Sequence, residues 1–179
     1  MSEKLEVVGY DSRWPQMFAT ERERITAMLG GIALRIDHNG STSVPGLSAK
    51  PIIDIQISVI CLQPMGTYAT GLERLGYVHL PHPDDSFCPF FHRPASWPHT
   101  HHVHVVESGG AEERKTLAFR DYLREHPEAA REYEDLKIRL VSALRAEGAS
   151  GRTAYAEAKT EFVTSVTERA LAEGHPRDL

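Results

Sequence analysis

The stretch "NGSTSVPGLSAKPIIDIQI", from Asn39 to Ile57, holds the densest group of residues able to do chemistry. Gly40, Ser41, Thr42 and Ser43 form a glycine–hydroxyl turn. Such a turn offers backbone N–H groups and hydroxyls to an anion, without any net positive charge. Lys50 can add a point charge to the same anion. Asp54 lies on the strand-like run that follows, and alternation puts Gln56 on its face and Ile53, Ile55 and Ile57 on the other. The plainer alternative is a connecting turn beside a polar strand residue.

A second group is "HTHHVHVV". On a strand His102 and His104 share one face, and His101, Val103 and Val105 take the other. Two imidazoles spaced i, i+2 can hold a divalent metal with a carboxylate from a neighbouring strand, or can donate to phosphate. Further cations are Arg93 before this strand, Arg120 and Arg124 at helical spacing, then Arg131 and Lys137, and Lys159 four residues after Tyr155. As phosphate contacts they compete with the simpler reading of a solvated helix face paired with Asp121, Glu125, Glu128 and Glu132.

The elements that must position these groups follow from the hydrophobic pattern. "YDSRWPQMFATERERITAMLGG" reads as a helix with Pro15 in its first turn and Gly30-Gly31 after its end. "IALRIDHNG", "PIIDIQISVI" and "THHVHVVES" read as strands. A short strand is expected near Phe90-Phe91, another within "YVHLPH", and a short helix over "QPMGTYATGLERLGY". Two helices broken near His126-Pro127 follow, then a last helix over 150–174 with Tyr155, Phe162, Val163 and Val166 inward. The fold class is therefore α+β, a mixed sheet covered by helices with a helical C-terminal third, in a single domain over 1–179.

With 179 residues, 41% hydrophobic and 25% charged residues, the chain is ordinary for one globular domain. A net charge of −5 gives no general field for long nucleic acid or an anionic membrane. No apolar run approaches the roughly 20 residues of a membrane span, and the N-terminus shows no apolar signal segment. Cys61 and Cys88 form no CxxC pair and read as reduced thiols, so a cytoplasmic location is expected.

These motifs coincide with a known pattern. Through "YDSRWPQMF", "HNGSTSVPGLSAKPIIDI", "HHVHVV", "FRDYLREHPEAAREYEDLK" and "YAEAKTEFV" the chain resembles the GrpB family. That family is similar to DNA polymerase beta-type nucleotidyltransferases, and a related domain is fused to some dephospho-coenzyme A kinases. The resemblance implies a nucleotidyltransferase-like fold in which Gly40 and Ser41 hold a nucleotide's phosphates and Asp54 is the first metal-binding acid. It implies metal-dependent transfer of a nucleotidyl or phosphoryl group to a small acceptor. Gln56 departs from the pattern by standing where a second acid belongs, and His102 and His104 occupy the neighbourhood of the third. The resulting Asp54, His102 and His104 set suits manganese or zinc better than magnesium. Two other functions fit the same residues: a nucleotide- or coenzyme A-binding module without turnover, and a metal-dependent hydrolase reusing the fold.

Overall fold

The computed structural model describes residues 6–144, 148–177 and 179. Helix α1 spans Trp14–Leu29, with Pro15 in its first turn, and is closed by Gly30 at φ 52°. Strand β1 (Arg35–Asn39) leads through the glycine–hydroxyl turn into β2 (Ile53–Val59). Helix α2 (Gly66–Arg74) and the short β3 (Val78–His79) and β4 (Phe90–Arg93) precede β5 (His101–Glu107). Helices α3 (Ala111–Glu125) and α4 (Pro127–Leu144) meet at His126, as expected from Pro127.

The five strands form one sheet in the order β1-β2-β5-β4-β3. Only the central pair, β2 with β5, is parallel. The fold is α+β with a mixed sheet and a helical C-terminal third. Among the described residues no helix is long and apolar enough to cross a membrane.

The sheet has two unlike faces. On one, Ile53, Ile55, Ile57, Phe91, Val103 and Val105 pack with Ile25 and Leu29 of α1 and Tyr68 and Leu72 of α2. All six sheet residues are fully buried, each contributing about 1.5–3 kcal/mol of hydrophobic stabilisation. The other face carries Asp54, Gln56, Ser58, His102 and His104, and α3 is anchored to it by polar contacts. Thr116 bonds to Gln56, and Arg120 to Asp37. Glu113 takes the Ser58 hydroxyl and the Gly109 N–H.

The last helix is not the continuous 150–174 segment that its pattern suggested. It is two helices, α5 (Gly148–Glu157) and α6 (Thr160–Ala172), parted at Ala158-Lys159. Alanine, glutamate and lysine all favour helix, so local preference gives no sign of this break. Strand β1 also starts later than the expected Ile32, because residues 30–32 close a 3-10 turn after α1, and it runs through Asn39, where the turn was expected to begin.

Candidate functional site

The site begins where the β1–β2 connection folds back on the sheet. Asn39 of β1 lies beside Asp54 of β2. The next residue, Gly40, has φ 63°, a left-handed conformation that favours glycine. A Cβ there would sit 2.2 Å from Asp54 Oδ2, so the backbone presses directly on the carboxylate. Ser43 Oγ donates to the Gly40 carbonyl at 2.6 Å. Thr42 Oγ1 meets His38 Nε2 at 3.0 Å and also lies 3.4 Å from the Ile52 carbonyl. Thr42 and Ser43 thus hold the turn together. Ser41 lines the cleft, as does Tyr133 of α4.

The parallel register sets Asp54 beside His102 and Gln56 beside His104. His102 Nδ1 is 3.4 Å from Asp54 Oδ1, and its Nε2 is 3.0 Å from His99 Nδ1. His104 Nδ1 contacts Cys88 Sγ at 3.7 Å. The Phe90 ring lies 4.9 Å from His102 and 5.0 Å from His104. Burial pushes the Asp54 carboxyl up, but the His102 hydrogen bond and the charges of His102, His104 and Lys159 together hold it below the usual range. Burial pulls His104 down to about 4 against the attraction of Asp54, so it is neutral at neutral pH. Burial likewise pushes the Cys88 thiol up to about 12, which keeps it protonated.

Gln56 is fully buried. Its Oε1 accepts from Thr116 Oγ1 and, at 3.4 Å, from Asn39 Nδ2, while its Nε2 is buried without a hydrogen-bond partner. It fixes two residues that line the cleft, rather than presenting an oxygen to it. The metal set expected from Asp54, His102 and His104 is brought to one cleft, but not into ligand geometry. Among the described residues no three His, Cys, Asp or Glu side chains are placed to hold a metal ion together. Asp54 Oδ1 faces His102, and His104 turns its Nδ1 to Cys88.

Lysines from the loop before β2 and from the helical third share a cavity with Asp54. A cavity of about 330 Å³ is walled by Lys50, Lys137, Lys159, Tyr155, His102 and Asp54. Lys50 and Lys159 hold their ammonium groups 4.2 Å and 4.4 Å from the centre of the Tyr155 ring. Lys137, only 2% exposed, donates to the Ser48 carbonyl and lies 4.8 Å from the Tyr133 ring centre. Burial first, then the Lys159 charge, bring Lys137 down to about 7, partly offset by Glu134 and Asp54. Burial also lowers Lys159. A second cavity, of about 660 Å³, adjoins the first through Ser41, Asp54, His104 and Lys159, and is lined further by Asn39, Thr116 and Phe119.

Three expected phosphate contacts lie elsewhere. Arg93 falls on the opposite face of the sheet with Phe91, and grips Glu21 with two bonds of 3.0 Å. Arg120 is engaged by Asp121, Asp37 and the His38 carbonyl. Arg124 donates twice to the Ser43 carbonyl, so it braces the glycine–hydroxyl turn. Conversely Tyr133, which the helical pattern marks as core, lines the cleft. So do Asn39 and Thr116, which no spacing singled out.

A family model described as "GrpB protein" matches residues 4–169. UPF0157 protein PA4798 of Pseudomonas aeruginosa is 40% identical over 177 residues, 95% of this chain and 69% of its own length. UPF0157 protein YqkA of Bacillus subtilis is 33% identical over 93% of this chain, but the chain spans only 47% of YqkA. The crystal structure of conserved protein GrpB from Enterococcus faecalis superposes with a TM-score of 0.82 at 31% identity, covering 94% of this chain and 98% of that one. A dephospho-CoA kinase of Mycolicibacterium paratuberculosis is 31% identical over 79% of this chain and 40% of the kinase. The match runs through the Gly40–Asp54 turn, the β5 histidines and the lysine-bearing helices alike, and the chain belongs to the GrpB family.

Proposed function

We propose that the cleft over Asp54 binds the phosphates of a nucleotide, and that the protein transfers a nucleotidyl or phosphoryl group from it to a small acceptor. The observation that carries this reading is the convergence of Lys50, Lys137, Lys159 and Asp54 on one cavity beside Ser41 of the glycine–hydroxyl turn. Clustered ammonium groups in a half-enclosed cavity favour an anion, and a phosphate chain is one. In this reading Asp54, kept ionised beside His102, takes the proton of the acceptor hydroxyl as its oxygen bonds to phosphorus, and the phosphoanhydride bond breaks to release pyrophosphate or the nucleoside diphosphate. No step is routed through a metal ion, because the donor set does not fit one as placed.

One observation favours a second reading, a nucleotide- or coenzyme A-binding module without turnover. Gln56 stands on the strand position after Asp54 on the same face, with its oxygen already used by Thr116 and Asn39. The similarity to part of a dephospho-CoA kinase agrees with a coenzyme A-like ligand. Phosphorus NMR of nucleoside triphosphates and coenzyme A, with and without magnesium, manganese or zinc, separates the two. Group transfer that is lost in Asp54→Asn, with binding retained, supports the enzyme. Binding without release of phosphate or pyrophosphate supports the module. Absence of binding by any nucleotide or coenzyme A sinks both.

A further inference from the structure

We propose that Lys137 is a nucleophile, which forms an imine with a small aldehyde or ketone entering the 330 Å³ chamber. This chemistry needs no nucleotide in the cleft.

The placement of the nitrogen comes first. Lys137 lies on α4 and lines the chamber, yet is almost wholly buried. Its Nζ donates to the Ser48 carbonyl. A carbonyl accepts an N–H from a neutral amine as well as from an ammonium, whereas a carboxylate in the same place would hold the charged form. Glu134, one turn earlier on α4, accepts from the Ser48 N–H at 2.8 Å. The two side chains thus grip both polar groups of one backbone residue, and the nitrogen is fixed. A neutral amine spends one N–H on this bond and keeps its lone pair for a carbonyl carbon.

The surroundings favour that neutral form. Around Lys137 stand Tyr133 and Glu134 of α4, Asp54 of β2, Tyr155 of α5, Lys159 at the α5–α6 break and Lys50 before β2. Burial and the Lys159 charge disfavour the ammonium, Glu134 and Asp54 favour it, and the balance leaves Lys137 at about 7. Near neutral pH roughly half of it is a free amine, against about one part in a few thousand for an ordinary lysine. A desolvated lysine beside a second cation is an arrangement that activates amines for imine formation.

The step balances within the chamber. Nζ bonds to the carbonyl carbon as the C=O π pair moves to oxygen. The Lys159 ammonium gives that oxygen a proton and regains one from the new nitrogen cation, leaving a neutral carbinolamine. A second proton from Lys159 lets the hydroxyl leave as water while the nitrogen lone pair closes the C=N bond. The iminium proton then returns to Lys159. Amine and carbonyl have become imine and water, and Lys159 is unchanged.

Reductive trapping tests this. The full chain is incubated with propionaldehyde or pyruvate and sodium cyanoborohydride, and the alkylated peptides are mapped by mass spectrometry over time. Lys137 should be modified about tenfold or more faster than Lys115, which is exposed on α3. The rate at Lys137 should level off just above pH 7, while that at Lys115 still climbs. Lys159→Met should slow trapping at Lys137 several-fold and leave Lys115 unchanged. No substitution of Lys137 is needed, because the mapped peptide reports the site directly. Lys137 left unmodified, or modified no faster than Lys115, overturns the proposal. So does a preference for Lys137 that persists in urea, or one indifferent to Lys159→Met. None of these outcomes bears on nucleotide binding.

Discussion

Gly40 lies so close to Asp54 that a single added methyl group would stand 2.2 Å from the carboxylate oxygen Oδ2. The glycine also has φ 63°, which penalises any other residue. Gly40→Ala is therefore expected to cost about 1–3 kcal/mol of stability and to displace Asp54. Nucleotide binding should weaken in the same variant. Urea denaturation and ligand titration check both, and an unchanged affinity would show that Asp54 and the turn act independently.

Ser41 faces the cleft, while Thr42 and Ser43 hold the turn. Ser41→Ala should weaken phosphate binding about tenfold with little change in melting temperature. Thr42→Val should do the reverse and cost about 1–2 kcal/mol through the lost His38 contact. Parallel melting and titration curves of the two variants check this division of roles.

Arg93 serves the fold rather than the cleft. Glu21, 3% exposed, accepts from Arg93, Arg24 and the Tyr77 hydroxyl. Arg93→Met leaves that carboxylate under-neutralised and should destabilise by about 3 kcal/mol. Nucleotide or pyrophosphate affinity should not change, and titration of the folded variant measures it directly.

Burial holds His38, His101 and His104 at about 4, below the ordinary 6.5. Between pH 6.5 and 4 the unfolded chain takes up protons that the folded chain refuses. Folding stability should therefore fall as pH drops through this window, on the order of a few kcal/mol in total. Chemical denaturation at steps from pH 7 to pH 4 gives the slope. A flat profile would contradict the burial of these rings.

Lys137 has the same sign at higher pH. Its folded value of about 7 lies below the ordinary 10.5, so the unfolded chain binds the extra proton between them. Stability of the ligand-free protein, relative to Lys137→Met, should rise with pH across that interval. Denaturation of the two proteins side by side measures the difference. A constant gap would place the charge of Lys137 in a better solvated setting.

Much of the site's polarity was legible in alternation alone. Ile53, Ile55 and Ile57 against Asp54 and Gln56, and Val103 and Val105 against His102 and His104, fall on the faces that a period of two assigns. The same rule would have removed Arg93, once β4 was taken as far as residue 93, because Arg93 then shares the face of Phe91. What could not be read is what depends on distant partners. The Asp54–His102 register follows from a parallel pairing that no local signal encodes. The inward turn of Lys159 depends on a helix break among good helix formers. Tyr133 looks like any core aromatic until α4 sets it in the lining of the cleft with Ser41.

The parallel β2–β5 pairing has a kinetic consequence. Gly40 and Asp54 meet through a near-neighbour antiparallel pair, but Asp54 and His102 meet only after a crossover that carries α2, β3 and β4. Closing so long a loop is slow compared with closing a hairpin. The turn can thus form early, while the carboxylate–imidazole pair completes with the last long-range closure. A chain arrested before that closure can hold native-like helices and hairpins and yet lack the pair. Possession of the pair is then a late checkpoint of folding, not a by-product of its early stages.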